Sequence, residues 1–216
     1  MCREVLEMVQ GMDPKCVEWQ LSMQCAPLIT GCKLSNLLML PVHCREAVEK
    51  LLQGSDIAWF VLRETGHKIT MLLYHRENLE AYLRREDVAA ILREEGYPAK
   101  PQNAEKNEAA GMEEILGFMR RRYEDSRDGK GAFPHEMGLF LGYPVDDVRG
   151  FMQKQGREFL YSGYWKVYDR VEEKKKIFES YETAQDTIIR LVHEGISLRE
   201  ILMLYEDSRR EFAGAC

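Results

Sequence analysis

Two runs, Ile57–Leu62 (IAWFVL) and Ile69–Tyr74 (ITMLLY), flank Thr65-Gly66 and limit the fold more than any other stretch of the chain. Both are rich in β-branched and aromatic residues and bracket turn-forming ones, which predicts a β-hairpin. Neither alternates apolar with polar side chains, so both faces of the resulting sheet need covering, as in layered α/β arrangements.

The remaining segments supply the cover. Asn36–Leu40, closed by Pro41, reads as a short buried strand, and Tyr164–Tyr168 alternates as another, with Trp165 and Val167 on one face. Asp13-Pro14 looks like an N-cap followed by proline, opening a helix to about Gln24 that Pro27 and Gly31 end. A helix over Arg45–Leu52 stops at Gly54, and Leu79, Tyr82 and Leu83, then Val88, Ile91 and Leu92, mark two more. Met112, Ile115, Leu116, Met119 and Tyr123 repeat at amphipathic helical spacing. A long helix ends near His193, and Ser197-Leu198-Arg199-Glu200 is a capping box for the last one. The expected fold is α+β (mixed α/β): a small central sheet of about four strands with a β-hairpin, covered by eight or nine helices. One compact domain over 1–216 is expected, with possible lobes 14–98 and 110–210 joined by a polar loop 99–109.

The formal net charge of -6 gives no global field to draw in phosphate backbones or anionic lipid. No apolar run approaches the roughly 20 residues that span a bilayer, and the N-terminus lacks a signal-peptide stretch, so a cytoplasmic protein without a membrane partner is expected. The six cysteines, at 2, 16, 25, 32, 44 and 216, form no C-x-x-C pair, which predicts free thiols. There is no G-x-G-x-x-G, Walker A or G-x-S-x-G motif.

The segment 133–148 reads FPHEMGLFLGYPVDDV, two short helices punctuated by Pro134, Gly142 and Pro144. With Cys25-Ala26-Pro27, Gly31, Lys33 and Asn36, and with Gly163 and Trp165-Lys166-Val167-Tyr168, it resembles a bacterial family catalogued as domain of unknown function 3793 along most of the chain. That family often carries histidine at the position of Gln24 and an aliphatic residue at that of Cys32. The resemblance implies a cytosolic protein of anaerobic bacteria in a gene context near flavodoxins and ferrous-iron uptake; it supplies no activity.

His135-Glu136 can act as acid/base or as metal ligands; equally, His135 can pack the helix start while Glu136 serves the helix dipole. The spacing is not that of a zincin, because position 139 is leucine. Cys25 joins these two as a candidate nucleophile or ligand, against the plainer reading of a buried thiol. Lys33, Asn36, Tyr143, Lys166 and Tyr168 are polar groups set in apolar segments, able to line a pocket for an anionic ligand or to be satisfied core groups. The leading reading is an accessory protein of metal or redox physiology that binds a small ligand, metal or cofactor; no cofactor is singled out. The alternatives are a Cys/His enzyme and a helix-turn-helix-like DNA-binding or protein-interaction module. Nucleic acid is disfavoured by Asp146-Asp147 at the start of the would-be recognition helix, and Arg120-Arg121-Arg122 reads as a solvated face.

Overall fold

The computed structural model of the chain describes Val5, Glu7, Met8 and residues 16–98 and 108–214. The expected N-cap at Asp13-Pro14 and residues 100–107 of the polar stretch lie outside the described residues. Elements are numbered in chain order.

The apolar runs form the hairpin β2 (Ile57–Glu64) and β3 (Lys68–His75), and β1 (Ser35–Pro41) pairs antiparallel with the other edge of β3. The Thr65 hydroxyl tightens the turn by accepting from the Lys68 N–H at 3.1 Å. β3 is the middle strand, buried from Ile69 to His75. Register sorts the side chains: Leu38, Met71 and Val61 share one face, and Leu37, Leu72 and Phe60 the other.

Helices cover both faces, as two-sided apolar strands require. α1 (Val17–Ile29), α2 (Arg45–Leu52), α8 (Val171–His193) and α9 (Leu198–Gly214) close the first. α3 (Arg76–Leu83), α4 (Glu86–Glu94), α5 (Glu108–Arg127), α6 (Met137–Phe140) and α7 (Val145–Lys154) close the second. The fold is α+β, a small antiparallel sheet between two helical layers.

Two details depart from the sequence pattern, each for a visible reason. α1 continues through Pro27 to Ile29. Proline cannot donate to the carbonyl four residues back, and the Gln185 amide on α8 donates to that Met23 carbonyl instead, at 2.8 Å. The strand over Tyr164–Tyr168 does not join the central sheet: β5 (Lys166–Val167) pairs with β4 (Tyr161–Ser162) in a separate two-stranded ribbon. The capping box forms as expected, Ser197 N–H donating to Glu200 Oε2 at 3.0 Å and Glu200 N–H to Ser197 Oγ at 3.3 Å. Arg209 ties α9 to the rest of the fold with two bonds to Asp56 and one to the Ile29 carbonyl.

Candidate functional site

The FPHE segment, α7 and the β4–β5 ribbon meet in one place because two glycines permit close approach. A Cβ on Gly150 of α7 would stand 2.6 Å from the Tyr168 ring, and one on Gly163 would stand 2.3 Å from Phe178 of α8. The ribbon is thereby pressed between α7 and α8. Its orientation is fixed by Asp147, a carboxylate only 2% exposed. The Trp165 indole N–H donates to one oxygen and the Tyr168 backbone N–H to the other, both at 2.7 Å. Held this way, Trp165 stacks on Tyr143 with centroids 4.8 Å apart and planes at 27°, and Phe178 packs edge-on against its ring.

Between the ribbon and the helix starts lies a cleft of about 390 Å³. Leu37, Met137, Leu141 and Val148 line it with apolar groups, and Phe133, Tyr143, Phe151, Tyr164 and Trp165 with rings. His135 and Lys166 are its basic liners, and Asp147 is its one carboxylate, already committed. His135 is exposed and packs between Phe133 and Phe151. Lys166 donates to the Gly156 carbonyl at 2.7 Å and lies over Phe151 and Phe159. An ammonium has three N–H donors, so two remain. Size and lining match a small-molecule site: mostly apolar, with few polar groups.

The candidate residues therefore divide. His135, Tyr143 and Lys166 share the cleft. Lys33, Asn36 and Cys25 form a buried node that meets it at the Tyr143 ring, with Lys33 Nζ 5.5 Å from that ring's centroid. In the node Lys33 donates to Asn36 Oδ1 at 2.6 Å, and the Asn36 amide reaches the Gln24 and Leu37 carbonyls and, at 3.7 Å, the Cys25 sulfur. Burial is the main influence on both ionisable groups. It pushes the Lys33 ammonium down to about 8, against a smaller opposing effect of Cys25. It pushes the Cys25 thiol up to about 12, outweighing the Asn36 bond and the Lys33 charge. Tyr168 contributes its backbone to the Asp147 clamp, while its own hydroxyl is buried without a hydrogen-bond partner among the described residues.

Glu136 is turned away from the cleft. It is 1% exposed, and one oxygen accepts from Arg122 Nε at 2.7 Å and from the Tyr97 hydroxyl at 2.9 Å. Arg122 also reaches Glu95 at 2.8 Å. Burial, then the Glu136 charge, raise the Tyr97 hydroxyl far above its usual range, so it remains a donor. The arginine run is thus not a plain solvated face, since Arg120 and Arg121 also lie over Phe60 and Phe118. Among the described residues, no group of three or more His, Cys, Asp and Glu side chains is placed to hold a metal ion. No described helix is long and apolar enough to cross a membrane.

Cys25 should be chemically silent. At pH 8 a thiol that titrates near 12 exposes on the order of one thiolate in ten thousand, and burial shields it further. Iodoacetamide on the native protein at pH 8 is expected to label the exposed Cys16 and Cys32 and to spare Cys25 and Cys44, with each site assigned by fragmentation of the peptides. Rapid labelling of Cys25, read by mass spectrometry, would show that the node opens to solvent.

Asp147 and the ring set Phe133, Phe151 and Trp165 belong to the motifs the sequence marks but were not among its candidate site residues. The available signal was indirect: a carboxylate beside an inward-facing Val148, and aromatics on both sides of FPHE. A family described as protein of unknown function (DUF3793) matches residues 21–202. No curated protein and no solved structure matches the chain.

Proposed function

The chain belongs to this family of unknown function, and from that premise we propose that it binds a small planar aromatic molecule carrying an acidic group, in the cleft between the FPHE segment and the β4–β5 ribbon. One observation carries the reading: Trp165 is held against Tyr143 by a buried carboxylate, so an aromatic wall is already in place before any ligand arrives. Stacking on such a wall is worth about 0.5–1.5 kcal/mol per ring pair beyond the area buried. The free donors of Lys166 and the exposed imidazole of His135 suit an acidic substituent at the mouth.

In this reading the accessory role in metal or redox physiology is served by an organic ligand rather than by a bare metal ion. Cys25 is given no nucleophilic part, since it lies outside the lining. His135 and Lys166 orient the ligand. Lys33, itself held by Asn36, lies over the Tyr143 ring.

Titration with 1-anilinonaphthalene-8-sulfonate, which carries a planar naphthalene and a sulfonate, beside the neutral N-phenyl-1-naphthylamine tests this. Both dyes are expected to bind one per chain. Phe133→Ala should weaken both, while Lys166→Gln should weaken the sulfonate at least fivefold and leave the neutral dye within twofold. Dye affinities indifferent to both substitutions would remove the cleft as the binding site.

A further inference from the structure

Eight large apolar side chains stand exposed among the described residues, and five of them (Phe133, Phe159, Leu160, Tyr161 and Tyr164) belong to the segments around the cleft. Three are consecutive. Phe159 and Leu160 end the loop from α7 into β4 and Tyr161 opens β4; Leu160 is the most exposed of all eight at 66%. An exposed apolar run of this kind has a use or it is a liability.

The loop is held stiffly. Gln155, Gly156 and Glu158 have positive φ, Lys166 donates to the Gly156 carbonyl, and Leu160 N–H donates to the Val167 carbonyl at 2.8 Å. Little order remains to be gained when a partner covers these side chains. Cations gather beside them. Lys166 lies 4.8 Å from the Phe159 ring centroid and Lys175 5.3 Å from that of Tyr161, while Lys154 and Arg157 flank the loop. The carboxylates beside it are three: Glu158, 3.8 Å from Lys154; Glu172, 2.8 Å from Lys175; and Glu179, whose charge also acts on Lys175. Four cations against three carboxylates leave the loop's surroundings slightly positive, opposite in sign to the chain's net charge of -6.

We propose that this loop is a docking surface for an anionic lipid bilayer, with Phe159, Leu160 and Tyr161 entering the headgroup boundary and the surrounding lysines and Arg157 resting on the anionic heads. Three adjacent apolar side chains on one short, stiff loop suit shallow insertion, and lysine stems along aromatic faces let the charges reach the interface. Each such cation adds to the attraction of an anionic surface, an effect that salt weakens. A surface contact of this kind requires no spanning segment, so it agrees with the absence of an apolar run long enough for one.

The test is co-sedimentation of the full chain with vesicles of phosphatidylcholine alone and of phosphatidylcholine with 30% phosphatidylglycerol. Binding is expected only to the second, falling at least fivefold between 50 and 300 mM NaCl. Leu160→Ser combined with Phe159→Ser should reduce it at least tenfold. Neither side chain lines the cleft, and Phe159 touches it only through Lys166, so the double variant should still bind the neutral naphthalene dye like the parent. No binding to the anionic vesicles, or binding that the double variant retains in full, overturns the proposal; in that case the patch is left to an acidic protein partner. Failure here leaves the cleft reading standing, and dye affinities indifferent to Phe133→Ala and Lys166→Gln leave this one standing.

Discussion

Arg122→Met is expected to destabilise the protein by about 3 kcal/mol, the low end of the range seen when one partner of a buried ion pair is removed, because Glu136 is buried while Arg122 is 34% exposed. Glu136 would keep its buried position with the Tyr97 hydroxyl as its one remaining donor among the described residues. Methionine matches the stem of arginine closely enough to retain most of the packing, so the loss reports the stranded carboxylate rather than a hole. The link to Glu95 contributes less, because both of its side chains are about a third exposed and water can replace the bond. Adding Glu136→Gln to Arg122→Met removes the buried charge and should restore about half of the loss or more. Urea denaturation of the three proteins measures both quantities. A double variant no more stable than Arg122→Met would show that the arginine acts through packing instead.

This network also explains why the motif was easy to see and hard to interpret. Pro134, Gly142 and Pro144 announce where helices start and stop, and α6 and α7 follow them. Nothing local says that Glu136 turns inward, because its partners come from Tyr97 and Arg122, on other parts of the chain. Dipole service was the plausible local reading, and a long-range ion pair displaced it. The hairpin was legible for the opposite reason: β2 and β3 are neighbours in sequence, and their two-sided apolar character states what must happen on both faces. The Tyr164–Tyr168 strand shows the middle case. Its alternation is real, with Trp165 and Val167 buried and Tyr164 exposed, but alternation cannot say which sheet a strand joins. Of the candidate site residues, His135, Tyr143 and Lys166 came together through the glycine-permitted packing of the ribbon. Lys33, Asn36 and Cys25 lie close in sequence and close in space, in a node of their own.

Asp147→Ala is expected to undo the cleft and cost about 3 kcal/mol, taking each of two charge-assisted hydrogen bonds at roughly 1.5 kcal/mol, the low end of their range. Both carboxylate oxygens are occupied, one by the Trp165 indole and one by the Tyr168 backbone. Alanine leaves both donors facing apolar surroundings, so the ribbon gains by undocking and letting water reach them. Asp147→Asn tests the same logic more sharply. Its shape is unchanged, but one of its two ends becomes an NH₂ group that must face either the indole N–H or the backbone N–H, donor against donor. The asparagine variant should therefore lose at least half as much stability as the alanine variant, despite being isosteric. Three tryptophans report on the fold, and only Trp165 belongs to the ribbon. Hydrogen exchange at its indole N–H, slow in the parent, should accelerate at least a hundredfold in Asp147→Ala, with loss of naphthalene-dye binding alongside. If the indole stays protected and the urea midpoint does not move, the carboxylate is not what aligns Trp165 with Tyr143, and the aromatic wall has another origin.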